Sequence, residues 1–176
     1  DSSLLVSQAK KWIEDENFEK FKNFFSCTNS NDVIAEFLFL VANLYSTQNN
    51  YEKSNFYLNM SHYLNPKFKF NLSLLAENYY LNKNYKKTLK ILTSFNKKDD
   101  FFYWFKLKKE TQIISKTQNQ DKSLEFINLN FKKIKNPSIK KVFDVANFHK
   151  NAKQYKEAIK YYDQIISEID INSQLY

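Results

Sequence analysis

Glycine is absent from this 176-residue chain, arginine is absent as well, and there are only two prolines and one cysteine. Without glycine there is no GxGxxG turn and no Walker-type phosphate loop, because both need backbone positions that only glycine tolerates. A single cysteine, Cys27, excludes an internal disulfide framework and any zinc site built from several thiolates. Long apolar runs are missing too. The most apolar stretch, Val33 to Tyr45, is 13 residues long and contains Glu36 and Asn43, whereas a membrane-spanning helix needs about 20 apolar residues.

Aromatic residues make up 18% of the chain and the hydrophobic set 43%, which is enough apolar surface to build a core. The length allows one compact domain or one short array of repeats. The net charge of +8 invites a nucleic-acid reading. However, Lys and Asn together are 49 of the 176 residues. With arginine missing, that bias resembles an AT-rich codon supply more than selection for phosphate contacts, since arginine carries the bidentate fork for guanine and phosphate. The charge is also uneven: residues 1–50 are net −3, residues 51–150 net +12 and residues 151–176 net −1. The middle is a basic block. It reads either as solvated helix faces or as a surface for an anionic partner.

The sequence repeats itself. The segments Asn50–Pro66, Asn84–Phe95 and Gln154–Asp170 each open with a polar residue and Tyr, then two polar residues, a small residue and an amphipathic run. Tyr51 and Tyr85 are 34 apart, and Tyr85 to Tyr155 spans 70, or two units of 35. The intervening copy is Gln120–Phe131, and a weaker early copy is Asn17–Cys27 with Phe18 in the Tyr place and Phe21 where a small residue is expected. Upstream of each lies a second pattern, with Ala9, Ala42, Ala76, Thr111 and Ala146 as its small residues. A large residue stands four places before each (Leu5, Leu38, Leu72, Leu107, Val142) and another three places after (Trp12, Tyr45, Tyr79, Ile114, His149). This spacing puts large, small and large side chains on one helix face, and the small residue lets a partner helix approach closely. Each unit is therefore expected to be two antiparallel helices joined by a short polar turn such as Thr47–Asn50 or Leu81–Asn84. Asn31 and Asp32 are cap candidates for the second unit, Asn136 before Pro137 for the fifth, and Asp99 and Asp100 suit a helix start in the fourth.

These residues resemble the tetratricopeptide repeat, a 34-residue helix–turn–helix. The second unit supplies Leu38, Val41, Ala42, Tyr45, Tyr51, Ser54, Leu58, Ser61 and Pro66 at the family's places, and the fifth supplies Val142, Val145, Ala146, His149, Tyr155, Ala158, Tyr162 and Ile165. Phe95 and Ile165 are bulky where Ala is usual. The resemblance covers the whole chain as about five units, 2–34, 35–68, 69–102, 103–138 and 139–172. It implies an all-α fold, a right-handed α-solenoid. Residues 173–176 read as the start of a truncated sixth unit, so the chain is expected to be a fragment of a longer array, and its start at Asp1 leaves room for an upstream targeting segment. Terminal units without a polar cap invite self-association.

Candidate chemistry is sparse. His62 and His149 lie in different units without a His or Cys partner at metal spacing. His149 falls at a packing place and reads as a core histidine, His62 as a surface residue and Cys27 as buried filler. Glu14–Asp15–Glu16 and Asp99–Asp100 read as solvated helix ends rather than a general acid/base pair. No catalytic, cofactor or metal site is assigned and no small-molecule substrate is expected, so the chain reads as a non-enzyme.

In tetratricopeptide arrays the first helices line a concave groove. The resemblance places Glu36, Phe39, Asn43 and Ser46 there, then Phe70, Ser73, Glu77 and Tyr80. The fourth unit adds Phe105, Lys108, Gln112 and Ser115, and the fifth adds Lys140, Phe143, Asn147 and Lys150. Rings beside amides and charges suit a peptide or helix of a partner protein. The competing reading packs Phe39, Phe105 and Phe143 against neighbouring helices. A clamp for a terminal carboxylate is not expected: the pairs Val6/Lys10, Phe39/Asn43, Ser73/Glu77, Lys108/Gln112 and Phe143/Asn147 give no three consecutive basic–amide sets, and Glu77 would repel the ligand. The expectation is a protein-interaction scaffold, with a helical-repeat nucleic-acid binder using residues 51–150 as the alternative.

Overall fold

The computed structural model describes residues 29–169, together with Trp12, Ile13, Glu16, Phe18 and Glu19. Among the described residues lie eight helices and no strand: α1 (Ser30–Thr47), α2 (Tyr51–Leu64), α3 (Phe70–Leu81), α4 (Tyr85–Leu92), α5 (Asp100–Thr117), α6 (Gln120–Phe131), α7 (Ile139–Asn151) and α8 (Tyr155–Glu168). The chain divides into two compact units, Asp1–Phe102 and Tyr103–Tyr176. Within each, helices pack in neighbouring pairs, α1 with α2, α3 with α4 and α7 with α8, an arrangement compatible with a helical repeat. The expected features at Leu5, Val6, Ala9, Lys10, Phe21, Cys27, Glu14, Asp15 and residues 173–176 lie outside the described residues.

In the first unit the small residues do what their spacing requires. Ala42 and Ser54 are fully buried, and the Ser54 hydroxyl donates to the Ala42 carbonyl at 2.8 Å. Two turns away Ser61 donates in the same way to the Ala35 carbonyl. A larger side chain at either place would push α1 and α2 apart. Ala42, Leu58 and Leu75 form the buried centre, with Phe39, Tyr57, Leu72, Leu74, Tyr79 and Ile91 packed against it. Below them four rings nest: Phe70 lies 5.5 Å from Phe68 and 5.2 Å from Phe102, which stacks on Phe95 at 5.2 Å. Phe95 thus fills a gap that a small residue would leave open, which accounts for its departure from the expected pattern.

The second unit has its own core of Trp104, Leu107, Ile127 and Val145. Phe131 bridges it, with its ring 6.2 Å from Trp104 and 5.9 Å from Tyr161. Thr111, Ala146 and Ala158 are buried at their small places. His149 is 4% exposed. Its Nδ1 lies 2.9 Å from Gln154 Oε1 and its Nε2 3.1 Å from Asn128 Oδ1, so it is a buried histidine held in one orientation by two amides.

Three of the four turns within helix pairs share one backbone form, the turn between α5 and α6 excepted. Asn49, Lys83 and Lys153 all take left-handed backbone, with φ of 59°, 57° and 62°. The next residue in each turn donates its N–H five residues back, Asn50 to Tyr45 at 2.9 Å, Asn84 to Tyr79 at 2.8 Å and Gln154 to His149 at 2.9 Å. This is the Schellman closure of a helix C-terminus, normally built on glycine. Asn50 and Asn84 then cap the following helix, accepting from Lys53 and Lys87 N–H. Lys53 Nζ lies 5.4 Å from the Tyr45 ring, and Lys87 Nζ lies 5.0 Å from the Tyr79 ring. Turn, cap and cation–ring contact thus coincide at the first two of these turns, 34 residues apart, while Gln154 makes no side-chain cap.

Three expectations are corrected. The cap of α1 is Asn29, whose side chain accepts from Asn31 N–H at 2.9 Å, two residues before the expected site. Asn136 adopts left-handed backbone instead of capping, and Ser138 precedes α7. His62 is half-buried, with a buried Nδ1 that has no hydrogen-bond partner. Asp99 does serve a helix start, accepting from Phe102 N–H at 3.4 Å while pairing with Lys69 at 3.1 Å.

Candidate functional site

In the first unit the expected groove residues split between surface and packing. Phe39 is half-buried, edge-on to Phe68 at 5.1 Å, and packs against the core. Phe70 and Ser73 are buried, with the Ser73 hydroxyl donating to the Phe70 carbonyl at 2.8 Å. Asn43 is half-buried and uses its Nδ2 to bond the Phe39 carbonyl at 3.1 Å. The Ser46 hydroxyl donates to Asn78 Oδ1 at 2.6 Å, which ties α1 directly to α3. Glu36 is exposed; Glu77 and Tyr80 are half-buried. Burial, with Tyr85 and Glu77 beside it, pushes the Tyr80 hydroxyl above the usual tyrosine range. The part of this face that water reaches is therefore acidic and amide-bearing, and its phenylalanines belong mainly to the packing.

In the second unit α5 and α7 lie side by side, joined by Asp144. One carboxylate oxygen accepts the Trp104 indole N–H at 2.8 Å, and the Lys108 ammonium sits 3.0 Å from it. Lys108 therefore already has a counter-charge. Lys141 is nearly buried, with Nζ 5.9 Å from the Trp104 ring. Phe143 is 49% exposed, its ring 5.9 Å from Tyr162. The Tyr162 hydroxyl donates to Asn147 Oδ1 at 2.9 Å, which leaves the Asn147 Nδ2 hydrogens free of that bond. Phe105 is half-buried beneath the Lys109 ammonium. Gln112 is half-buried, with an Oε1 that lacks a donor. Ser115 donates to Gln120 at 3.1 Å, and Lys140 and Lys150 are exposed. This face offers an exposed ring, an amide and a paired charge within about one helix turn of one another.

Several features were not read from the sequence. Asp144 is the only acid between Glu125 and Glu157, and that isolation was the available signal. Asn71 and Asn78 are fully buried on α3. Asn78 Nδ2 donates to Ser54 at 2.7 Å and to Asn55 at 2.9 Å, whereas Asn71 Nδ2 has no acceptor. On the outer face of α2, Phe56, Asn59, Met60, Tyr63 and Leu64 line an open, mostly apolar cavity of about 490 Å³. On α1, Val33, Phe37, Leu40 and Leu44 form an exposed stripe at helical spacing. Among the described residues no three His, Cys, Asp or Glu side chains come together in a way that could hold a metal ion. No helix among them is long and apolar enough to cross a membrane.

No protein-family model matches this chain, and no curated protein matches it.

Proposed function

We propose that this chain is a tetratricopeptide-type α-solenoid and that it acts as a non-catalytic scaffold, holding a peptide or helix of a partner protein against its first helices. Support for the array comes from the left-handed turns at Asn49, Lys83 and Lys153, which recur with the same hydrogen bonds and the expected spacing. Support for neighbouring first helices comes from Ser46–Asn78 between α1 and α3 and from Lys108–Asp144 between α5 and α7. The function itself is an analogy from that architecture, because a fold alone does not fix function. The observation that carries it is Phe143, a ring 49% exposed on α7 beside Asn147. An exposed aromatic next to an amide donor suits a buried anchor flanked by a backbone hydrogen bond.

The test is affinity capture with the chain from nuclease-treated lysate of its own cells, read by mass spectrometry for wild type, Phe143→Ala and Asn43→Ala. At least one protein should be recovered with wild type and depleted about tenfold with Phe143→Ala, the loss expected for a hot-spot aromatic. Equal recovery by all three proteins would remove this surface from consideration.

A further inference from the structure

The exposed lysines between Glu77 and Asp99 lie on α4 and in the turns that flank it, away from the first-helix residues discussed above in sequence. Six lysines (Lys83, Lys86, Lys87, Lys90, Lys97 and Lys98) occur in that interval with no acid among them, and all six are exposed. Elsewhere the chain pairs its lysines where carboxylates are near: Lys69 with Asp99, Lys106 with Glu110, Lys108 with Asp144 and Lys160 with Glu157. Among the described residues none of Lys83, Lys86, Lys90, Lys97 and Lys98 has such a partner. Biased codon supply explains why lysine is common. It does not by itself place six exposed lysines in residues 78–98 without a counter-charge; the comparable interval, residues 126–143, holds five lysines, of which Lys141 is nearly buried.

The backbone beneath is fixed. Thr88 and Leu92 are fully buried and Phe95 nearly so, which turns Lys86, Leu89 and Lys90 outward on α4. Leu89 is 42% exposed, at the foot of the lysines, and Leu81 is 48% exposed at the end of α3. We propose that this strip docks the chain on an anionic lipid bilayer, with the lysines over the headgroups and Leu89 pressed into the interface. Ammonium groups attract a diffuse layer of negative headgroups without the bidentate geometry that arginine supplies, and clustered lysines on an amphipathic helix are the usual form of such a surface. Nucleic acid is the less favoured occupant. Single-strand binding needs rings on which bases stack, and Tyr85, the one aromatic on α4, is half-buried against Tyr80 at 5.8 Å.

The experiment is co-sedimentation of the whole chain with phosphatidylcholine vesicles, with and without about 30% phosphatidylserine, at about 50 and 500 mM salt. Binding should require phosphatidylserine and fall at least tenfold at the higher salt. Lys86→Glu with Lys90→Glu should reduce it at least tenfold, and Leu89→Ala should reduce it severalfold with no change in charge. Lys132→Glu with Lys133→Glu makes the same change in net charge at exposed positions elsewhere, and should leave most of the binding. All these side chains are exposed, and helix content by circular dichroism checks that each variant folds. The proposal is overturned by no sedimentation with phosphatidylserine, by equal loss in the two double variants, or by binding to a single-stranded oligonucleotide that the 86/90 variant loses while vesicle binding stays.

Discussion

Asp144 joins two helices through one carboxylate, and its neighbours determine what its loss would cost. The Trp104 indole is 6% exposed, so removing its acceptor leaves a buried N–H without a partner. Asp144→Ala should therefore lower stability by about 1–3 kcal/mol, the range for an orphaned buried donor. Asp144→Asn keeps an oxygen for the indole and loses only the pairing with a quarter-exposed Lys108, so its cost should be smaller, about 1 kcal/mol. Urea unfolding of both variants checks the order, and equal costs would mean that the indole bond contributes nothing. His62 carries a pH dependence. Burial holds its imidazole below the usual value of 6.5, so the unfolded chain binds more protons than the folded one between the depressed value and 6.5. Stability is flat above that window and falls as pH drops through it. The urea midpoint should decline as the pH falls below about 6.5, and His62→Gln should lose that part of the slope; an unchanged slope would assign it to other groups.

Whole helices were legible where side-chain size alone sets the packing. Ala42, Ala76, Thr111 and Ala146 could be placed from sequence because a small residue flanked by large ones at helical spacing has one use. Asn71 and Asn78 could not, because a polar residue on a helix reads as solvent-facing until a partner such as Ser54 arrives from another helix. Cap positions shifted for a related reason: Asn29 caps α1 from a place that also suits a loop. The turns make a sharper prediction. Lys83 and Lys153 adopt left-handed backbone without glycine, a conformation that costs a side-chain-bearing residue roughly 1–2 kcal/mol. Glycine removes that strain but loses some chain entropy. Lys83→Gly and Lys153→Gly should each raise stability by about 0.5–1 kcal/mol. Asn49→Gly should gain less, because asparagine tolerates this region. Thermal unfolding of the three variants tests the ranking, and destabilisation by Lys153→Gly would contradict the left-handed turn.

At the scale of the molecule, the succession of paired helices was legible because it is written in spacing, which survives when residue types drift. The exposure of the individual rings was not, because a phenylalanine on a first helix can turn either way. Phe39 went into packing against Phe68 while Phe143 stayed half exposed, and only the neighbouring helix decides between them. A chain whose two compact units each carry a core also makes a prediction about cooperativity. Helical arrays hold together through neighbouring contacts, so damage in one place need not reach the other end. Leu58 is fully buried in the core of the first unit and Val145 in that of the second. Leu58→Ala should cost about 2–5 kcal/mol. Native-state hydrogen exchange should then accelerate through α1 to α4, with α7 and α8 little changed. Val145→Ala should accelerate α6 to α8 and spare α1 and α2. Uniform acceleration in both variants would show a single cooperative unit, and the picture of a chain stabilised neighbour by neighbour would then have to be abandoned.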